Sequence, residues 1–148
     1  METAFAFPVF IAFVFAGLEL SGTVFQLQGQ FDAANRAARI AVTANDLATA
    51  KVLIKDDLSK NFVIPYKVKS VSFCVVDPSQ PTDGTLPKPE LPVTVFIKTP
   101  VQFFNIGFIP GLKNLSVRAL AFHQDSSGNP QVAPTDTPIP TSSDCTPV

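Results

Sequence analysis

The chain has a single histidine, His123, and two cysteines, Cys74 and Cys145, which leaves few arrangements for side-chain chemistry. Any Ser-His-Asp or Cys-His nucleophile has to include His123, because each needs an imidazole as its general base. This histidine follows a predicted strand and is flanked by Gln124 and Asp125, a position typical of a surface histidine. Zinc needs three or four ligands at suitable spacing, which these residues do not supply. We expect no catalytic residue, no metal site and no enzyme.

The other common motifs of ligand chemistry are missing from the sequence. No G-x-G-x-x-G or G-x-x-x-x-G-K-[ST] segment is present to hold a phosphate. The acids Asp56 and Asp57 lack the pattern of an EF-hand loop and fit the solvated face of a helix. Lys and Arg number 11 against 12 Asp and Glu, so there is no basic excess to neutralise nucleic-acid phosphates. The sequence predicts no cofactor and no nucleic-acid partner.

Two acids bracket an apolar run at the start of the chain. Between Glu2 and Glu19, residues 4–18 read AFAFPVFIAFVFAGL without a charge and hold five of the fourteen phenylalanines. In a helix the two acids would be about 25 Å apart, close to the ~30 Å hydrocarbon core of a bilayer. Apolar residues continue to Phe25, which gives a usable span of about 22 residues.

Three interpretations of this run differ in what covers it. A cleaved secretory signal needs a basic segment ahead of the run, but the first basic residue is Arg36. A core helix of a soluble protein is rarely apolar on all sides. A membrane-spanning helix fits both length and composition. The residues leave its orientation open, because no basic flank is present: either the N-terminus is outside, or a basic leader once preceded Met1.

The helix is predicted to continue beyond Glu19, because no proline occurs between Pro8 and Pro65. Apolar residues recur there at mostly three- and four-residue steps: Phe25, Phe31, Ala34, Ala38, Val42, Leu47, Ile54 and Leu58. We predict one nearly continuous helix of roughly 50 residues, from about residue 3 to residue 59, membrane-spanning in its first half and amphipathic in its second. Pro8 would bend it, and Asn45-Asp46 could mark a kink.

The C-terminal half predicts a small sheet. Segments 65–76, 93–104 and 115–122 alternate apolar and polar residues in the manner of strands. The connection 77–92 contains five prolines, and residues 126–148 form a polar, proline-rich tail that cannot bury a core. The predicted fold is α+β, a long N-terminal helix packed on an antiparallel sheet of three to four strands, with a disordered tail. The divisions are a transmembrane helix (1–25), an exported domain (26–125) and the tail (126–148).

The two cysteines allow two states. Cys74 lies in the first predicted strand and Cys145 near the end of the tail. If this part of the chain is exported, a disulfide between them would tie the tail to the sheet. Closing a loop of about 70 residues would stabilise the fold by about 4 kcal/mol in the chain-entropy model. The alternative is two unpaired thiols.

The N-terminal pattern resembles the TadE-like pseudopilin family. Residues 2–8 read ETAFAFP and residues 17–20 read GLEL, where the family has E-F-A-L-x-x-P and G-x-x-E-[FL] around its membrane segment. Residues 33–39, AANRAAR, are similar to the family's A-A-R-E-G-A-R, from which Asn35, Arg36 and Ala37 depart. Segments 93–101, 108–112 and 115–122 resemble its C-terminal strands. The likeness extends over most of residues 2–125.

This resemblance implies a minor pilin or pseudopilin, a bacterial structural protein of tight-adherence (Tad, type IVc) pili. Such proteins are made with a basic leader that a prepilin peptidase removes shortly before the position of Glu2. On that view the sequence is a near-mature form or a shortened gene model, with its N-terminus inside and its C-terminal domain outside the inner membrane. The implied partners are other pilin or pseudopilin subunits, the inner-membrane assembly platform and the peptidase.

The resemblance also assigns residues to the subunit interface. Glu2 would pair with the N-terminal amine of a neighbouring subunit and set the axial register, because an acid at the edge of the hydrocarbon core needs a partner. Pro8 and Glu19 are the other expected interface positions, with Glu19 either a second interfacial acid or facing a partner helix. A rival class of function is a single-pass, membrane-tethered extracytoplasmic binding module unrelated to pili.

Overall fold

The protein folds as an α+β structure with a long N-terminal helix, as the sequence predicts. The computed structural model describes residues 3–61, 71–81, 84–100, 114–124 and 130. Helix α1 covers Thr3–Thr43 and helix α2 covers Leu47–Asn61. Strands β1 (Ser72–Val76), β2 (Val93–Pro100) and β3 (Asn114–Ala121) form an antiparallel sheet in the order β1-β2-β3. Residues 62–70, 101–113 and 131–148, which include the predicted tail, lie outside the described residues.

The prediction of one continuous helix to residue 59 is wrong, because the chain reverses direction after α1. Asp46 caps the start of α2: its Oδ1 accepts the Thr49 N–H at 2.7 Å and its Oδ2 accepts the Thr49 hydroxyl at 2.8 Å. An aspartate that bonds the N–H three residues ahead starts a new helix and competes with continuation of the old one. The Asn45-Asp46 pair therefore marks a turn between two packed helices rather than a kink.

The sheet follows the predicted alternation most closely at β3. Leu115, Val117 and Ala119 are buried, whereas Ser116 and Arg118 face solvent. Strand β2 is the central strand; six of its eight positions are buried, Pro100 is half-buried and Lys98 is exposed. In register, Ile97 of β2 lies opposite Val117 on one side. Both edges of β2 are paired, and Val93, Val95 and Ile97 face the core that the helices cover, which explains the burial of these positions.

Small side chains on α1 bring the helix close to the sheet. The core face of α1 consists of alanines: Ala33, Ala34, Ala37, Ala38 and Ala41. Helix α2 adds Ala50, Ile54 and Leu58 to the same core, which Phe73, Val95 and Ile97 complete from the sheet. The recurrence of alanines at three- and four-residue steps places them on one face, so that the larger residues of the sheet fill the space between the two layers.

The β1–β2 connection is tied to the turn between the helices. Gln80 accepts the Leu47 N–H at 3.0 Å through Oε1 and donates to the Asn45 carbonyl at 3.2 Å through Nε2. Gly84 in the same connection has a φ of 78°, a backbone conformation that glycine adopts without a steric penalty. These contacts fix one end of the domain around the α1–α2 turn, at the opposite end of α1 from its apolar start.

Candidate functional site

The first half of α1 projects from the rest of the protein as an apolar rod. Large apolar side chains are exposed along its length: Phe7, Val9, Phe10, Phe13, Val14, Phe15, Leu18, Leu20, Val24 and Phe25. Phe13, for example, is 74% exposed. Among the described residues, one helix, Ala6–Thr43, is long and apolar enough to cross a membrane, with a mean hydropathy of 1.8 in its most apolar window and 6% of that window buried. The alternative of a buried core helix is therefore excluded.

The three expected interface residues differ in their surroundings. Glu2 lies outside the described residues. Pro8 lies within α1 and is exposed together with the phenylalanines around it. Glu19 is 8% exposed, and its Oε1 is enclosed with no hydrogen-bond partner among the described residues. The sequence left Glu19 as either a water-contacting acid or one facing a partner helix, whereas the structure encloses it against its own chain.

Glu19 is the first member of a buried polar strip, which we define as Glu19, Gln26 and Gln30. Spacings of seven and four residues place all three on one face of α1. Gln26 and Gln30 are 1% and 0% exposed, and within the part of the chain that the structure describes no hydrogen bond reaches the Oε1 atom of either. The strip continues the alanine face of α1 toward the apolar rod. The same face of the helix is therefore apolar at residues 33–41 and polar at residues 19–30.

One threonine at the end of β2 holds the two glutamines. The Gln26 amide donates to Thr99 Oγ1 at 3.0 Å and to the Pro100 carbonyl at 2.9 Å, and the Gln30 amide also contacts Thr99 Oγ1. A hydroxyl oxygen has two lone pairs and can accept from two donors, so Thr99 Oγ1 serves both amides. Sequence analysis missed this site; its signal was a pair of glutamines four residues apart on the face that carries Glu19.

His123 lies in a polar cluster rather than on an open surface. Its Nε2 is 3.0 Å from Ser79 Oγ and 3.3 Å from Asp77 Oδ1, and the exposed fractions of the His123 and Asp77 side chains are 20% and 3%. Asp77 also accepts the Ser79 hydroxyl at 2.6 Å and the Ser79 N–H at 3.0 Å. We call these three residues the histidine clamp. The prediction of a surface histidine beside Gln124 and Asp125 missed it.

The histidine clamp lacks the geometry of a serine nucleophile. In a catalytic triad the aspartate holds one ring nitrogen and the serine donates to the other. Here Ser79 and Asp77 both contact Nε2, and the Ser79 hydroxyl donates to the carboxylate instead of to the imidazole. The clamp therefore fastens the β1–β2 connection to the end of β3. Within the described ranges, no group of three or more His, Cys, Asp or Glu could hold a metal ion.

Cys74 is buried in β1 and is disulfide-bonded. The partner expected from the sequence, Cys145, lies outside the described residues, so this pairing stays a prediction. A gel shift with a maleimide reagent before and after reduction tests it: full labelling of both cysteines without a reductant would contradict the pairing.

Comparisons of the chain with protein-family models, with curated proteins and with solved structures find no match.

Proposed function

We propose that this protein is a minor pilin or pseudopilin that takes part in the assembly of a Tad-type (type IVc) pilus used for surface adherence. Residues 1–25 anchor it in the inner membrane, and the α+β domain lies outside the cytoplasm. One observation carries the proposal: α1 passes without interruption from a rod of exposed large apolar side chains into the core of the domain. In this proposal the first half of the 41-residue helix lies in an apolar environment and its second half packs in the α+β domain.

The exposed rod suits a subunit that moves from lipid into an assembly. Lipid tails and the apolar helices of other subunits offer similar surroundings, so the transfer costs no new exposure of apolar surface to water. The helix is already formed through hydrogen bonds within itself, as a lipid environment requires. No refolding of α1 is needed between the two states.

In this proposal Glu2 supplies the polar contact between subunits, pairing with the N-terminal amine of a neighbour. The resemblance of residues 2–8 and 17–20 to the TadE-like family supports this role. An ionised acid at the edge of the hydrocarbon core is costly alone and tolerable with a partner, so the pairing would select one axial arrangement of neighbouring helices. Pro8 lies six residues further along the chain. Because proline has no backbone N–H, one carbonyl of α1 lacks its usual donor, which lets the helix bend there or lets the carbonyl accept a hydrogen bond from a neighbour.

The test is subunit association of Glu2→Gln compared with Glu19→Gln, in cells that carry the other pilin subunits, the assembly platform and the prepilin peptidase. Glu2→Gln should insert normally, because removal of a charge lowers the insertion cost. It should fail to co-purify with the other subunits and fail to support pili. Glu19→Gln should assemble with a smaller defect, because Glu19 is enclosed by its own chain. Normal assembly of both variants would contradict the proposal.

The second candidate function is a membrane-tethered binding module outside the cytoplasm. A cleft between α1 and β3 favours it, because residues 32–43 of α1, which lie beyond the apolar rod, form one of its walls. Either function needs the anchor: full-length protein should remain in the detergent phase on phase separation, and a form without residues 1–25 should be soluble. Partition of the full-length protein into water would overturn the anchor. Loss of pili on gene deletion separates the pilin from the module.

A further inference from the structure

We propose that the cleft between α1 and β3 binds an extended peptide segment that carries one carboxylate, and that Arg39 is the residue that receives it. The cleft consists of two adjoining cavities of about 550 and 540 Å³, which share Arg39 and Ala121. Each is of the size that small-ligand sites occupy. This binding role goes beyond subunit assembly and does not depend on it.

Arg39 is the cation in the cleft that is free to bind. Its side chain is exposed, and no ion pair in the described part of the chain includes it. Arg36, in the first cavity, is already paired with Asp57 at 3.2 Å. His123, in the second, uses Nε2 for the histidine clamp. A guanidinium presents two parallel N–H groups that match the two oxygens of a carboxylate.

The surrounding charges select a ligand with a single negative group. Asp32 lies in the same cavity as Arg39, about 10 Å along the helix, and would repel a second anionic group. The Arg36–Asp57 pair adds no net charge. The remaining walls are apolar or neutral, with Ala38, Leu120 and Phe122 among them. Nucleic acids and polyphosphates are therefore poor ligands, whereas a single acidic residue in an otherwise uncharged segment fits.

The shape of the cleft favours an extended segment. Strand β3 pairs with β2 on one side, and among the described residues no strand pairs with its other edge. An edge strand presents unpaired N–H and C=O groups that an extended peptide can bond. The cavities lie beside Leu120 and Ala121, where β3 ends, so a peptide along this edge would pass Arg39. Backbone bonds would supply affinity, and Arg39 would supply the preference for an acid.

The experiment uses the full chain labelled with ¹⁵N in dodecyl maltoside micelles and follows backbone amide shifts on titration. The probes are the peptide acetyl-Val-Thr-Asp-Val-Thr-amide, the same peptide with Asn for Asp, and inorganic phosphate. The acidic peptide should shift the amides of Arg39, Leu120 and Phe122 in a saturable way. The Asn peptide should bind about fivefold more weakly, as expected for loss of one partly exposed charge pair.

Arg39→Gln should reduce the affinity for the acidic peptide to that for the Asn peptide. Lys55→Gln is the matched control: it removes an exposed positive charge from α2, outside both cavities, and should leave binding unchanged. Equal binding of the two peptides, or an undiminished affinity in Arg39→Gln, would overturn the proposal. So would phosphate that binds as tightly as the acidic peptide, because the cleft would then be a site for free anions.

Discussion

The guanidinium of Arg36 in α1 lies 3.2 Å from the carboxylate of Asp57 in α2, twenty-one residues further along the chain. In one continuous helix these residues would be about 32 Å apart. Nη2 of Arg36 also donates to the carbonyl of Asn61 at 3.2 Å, at the end of α2. The pair therefore holds α2 against α1, a contact that is possible because the chain reverses direction at residues 44–46.

Breaking the Arg36–Asp57 pair should weaken the helix hairpin modestly. The two side chains are 42% and 16% exposed, so solvent screens the attraction. A double-mutant cycle with Arg36→Gln and Asp57→Asn should give a coupling of about 0.5–1 kcal/mol in the free energy of unfolding, measured by urea denaturation in micelles. The control is the Lys60–Asp56 pair, whose side chains are 67% and 55% exposed. A coupling no larger than in that control would contradict the role of the pair.

The cap at Asp46 should make the stability depend on pH in the acid range. Hydrogen bonds from the backbone N–H and the hydroxyl of Thr49 hold the pKa of Asp46 below its ordinary value of 3.8. A lowered pKa in the folded state stabilises the fold above the unfolded value, and this stabilisation disappears as the pH falls through the folded pKa. Asp46→Asn keeps an acceptor but has no titrating carboxyl.

The measurement for Asp46 is the melting temperature by circular dichroism between pH 6 and pH 3. Wild type should melt above Asp46→Asn at pH 6, and the difference should shrink toward pH 3. Asp46→Ala should melt lowest at pH 6, because it lacks any cap. Asp32→Asn serves as a control on an exposed helical aspartate. A constant difference between wild type and Asp46→Asn across this range would show that the cap is not titrating.

Replacing Glu19 by glutamine should stabilise the isolated subunit. Oε1 of the buried Glu19 carboxylate has lost its hydration, and no hydrogen bond from the described residues replaces it. Glu19→Gln removes the charge at nearly constant shape and should raise the free energy of unfolding by about 1 kcal/mol or more. Glu90→Gln makes the same change at a half-buried position in the β1–β2 connection and should change the free energy of unfolding little. A lower stability of Glu19→Gln would mean that the carboxylate is paired.

The Thr99 hydroxyl should contribute to stability by holding the side chains of Gln26 and Gln30 in place. Thr99→Val keeps the shape of the side chain but removes the acceptor that Gln26 and Gln30 share, and should cost about 1–3 kcal/mol. Thr99→Ser restores a hydroxyl and should recover most of the loss. Thr94→Val is the control, because the Thr94 hydroxyl, equally buried in β2, makes only a 3.4 Å bond to the nearby Pro92 carbonyl. Equal losses at both threonines would rule out a special role for Thr99.

The sequence by itself determined the local elements. Alternation of Leu115, Val117 and Ala119 with polar residues predicted β3 to within one residue at each end. The apolar run before Glu19 predicted a helix suited to a membrane. Of the predicted apolar stripe, Ala34 and Ala38 lie in the core of the domain, whereas the prediction was wrong for Phe25 and Phe31, which are exposed. Each of these features repeats within a few residues, so the period of the element is visible in the sequence.

Tertiary structure alone decided which of these elements meet. Asp46 was visible as a break, but its local signal could not distinguish a kink from a reversal, because the packing of α2 on α1 stabilises the reversal. His123 is 44 residues from Ser79, and Gln26 is 73 residues from Thr99. Such contacts leave no periodic pattern in a single sequence. Each residue fits its own helix, strand or loop equally well whether or not its partner lies next to it. The burial of Glu19 is decided in the same way, by what packs against its helix.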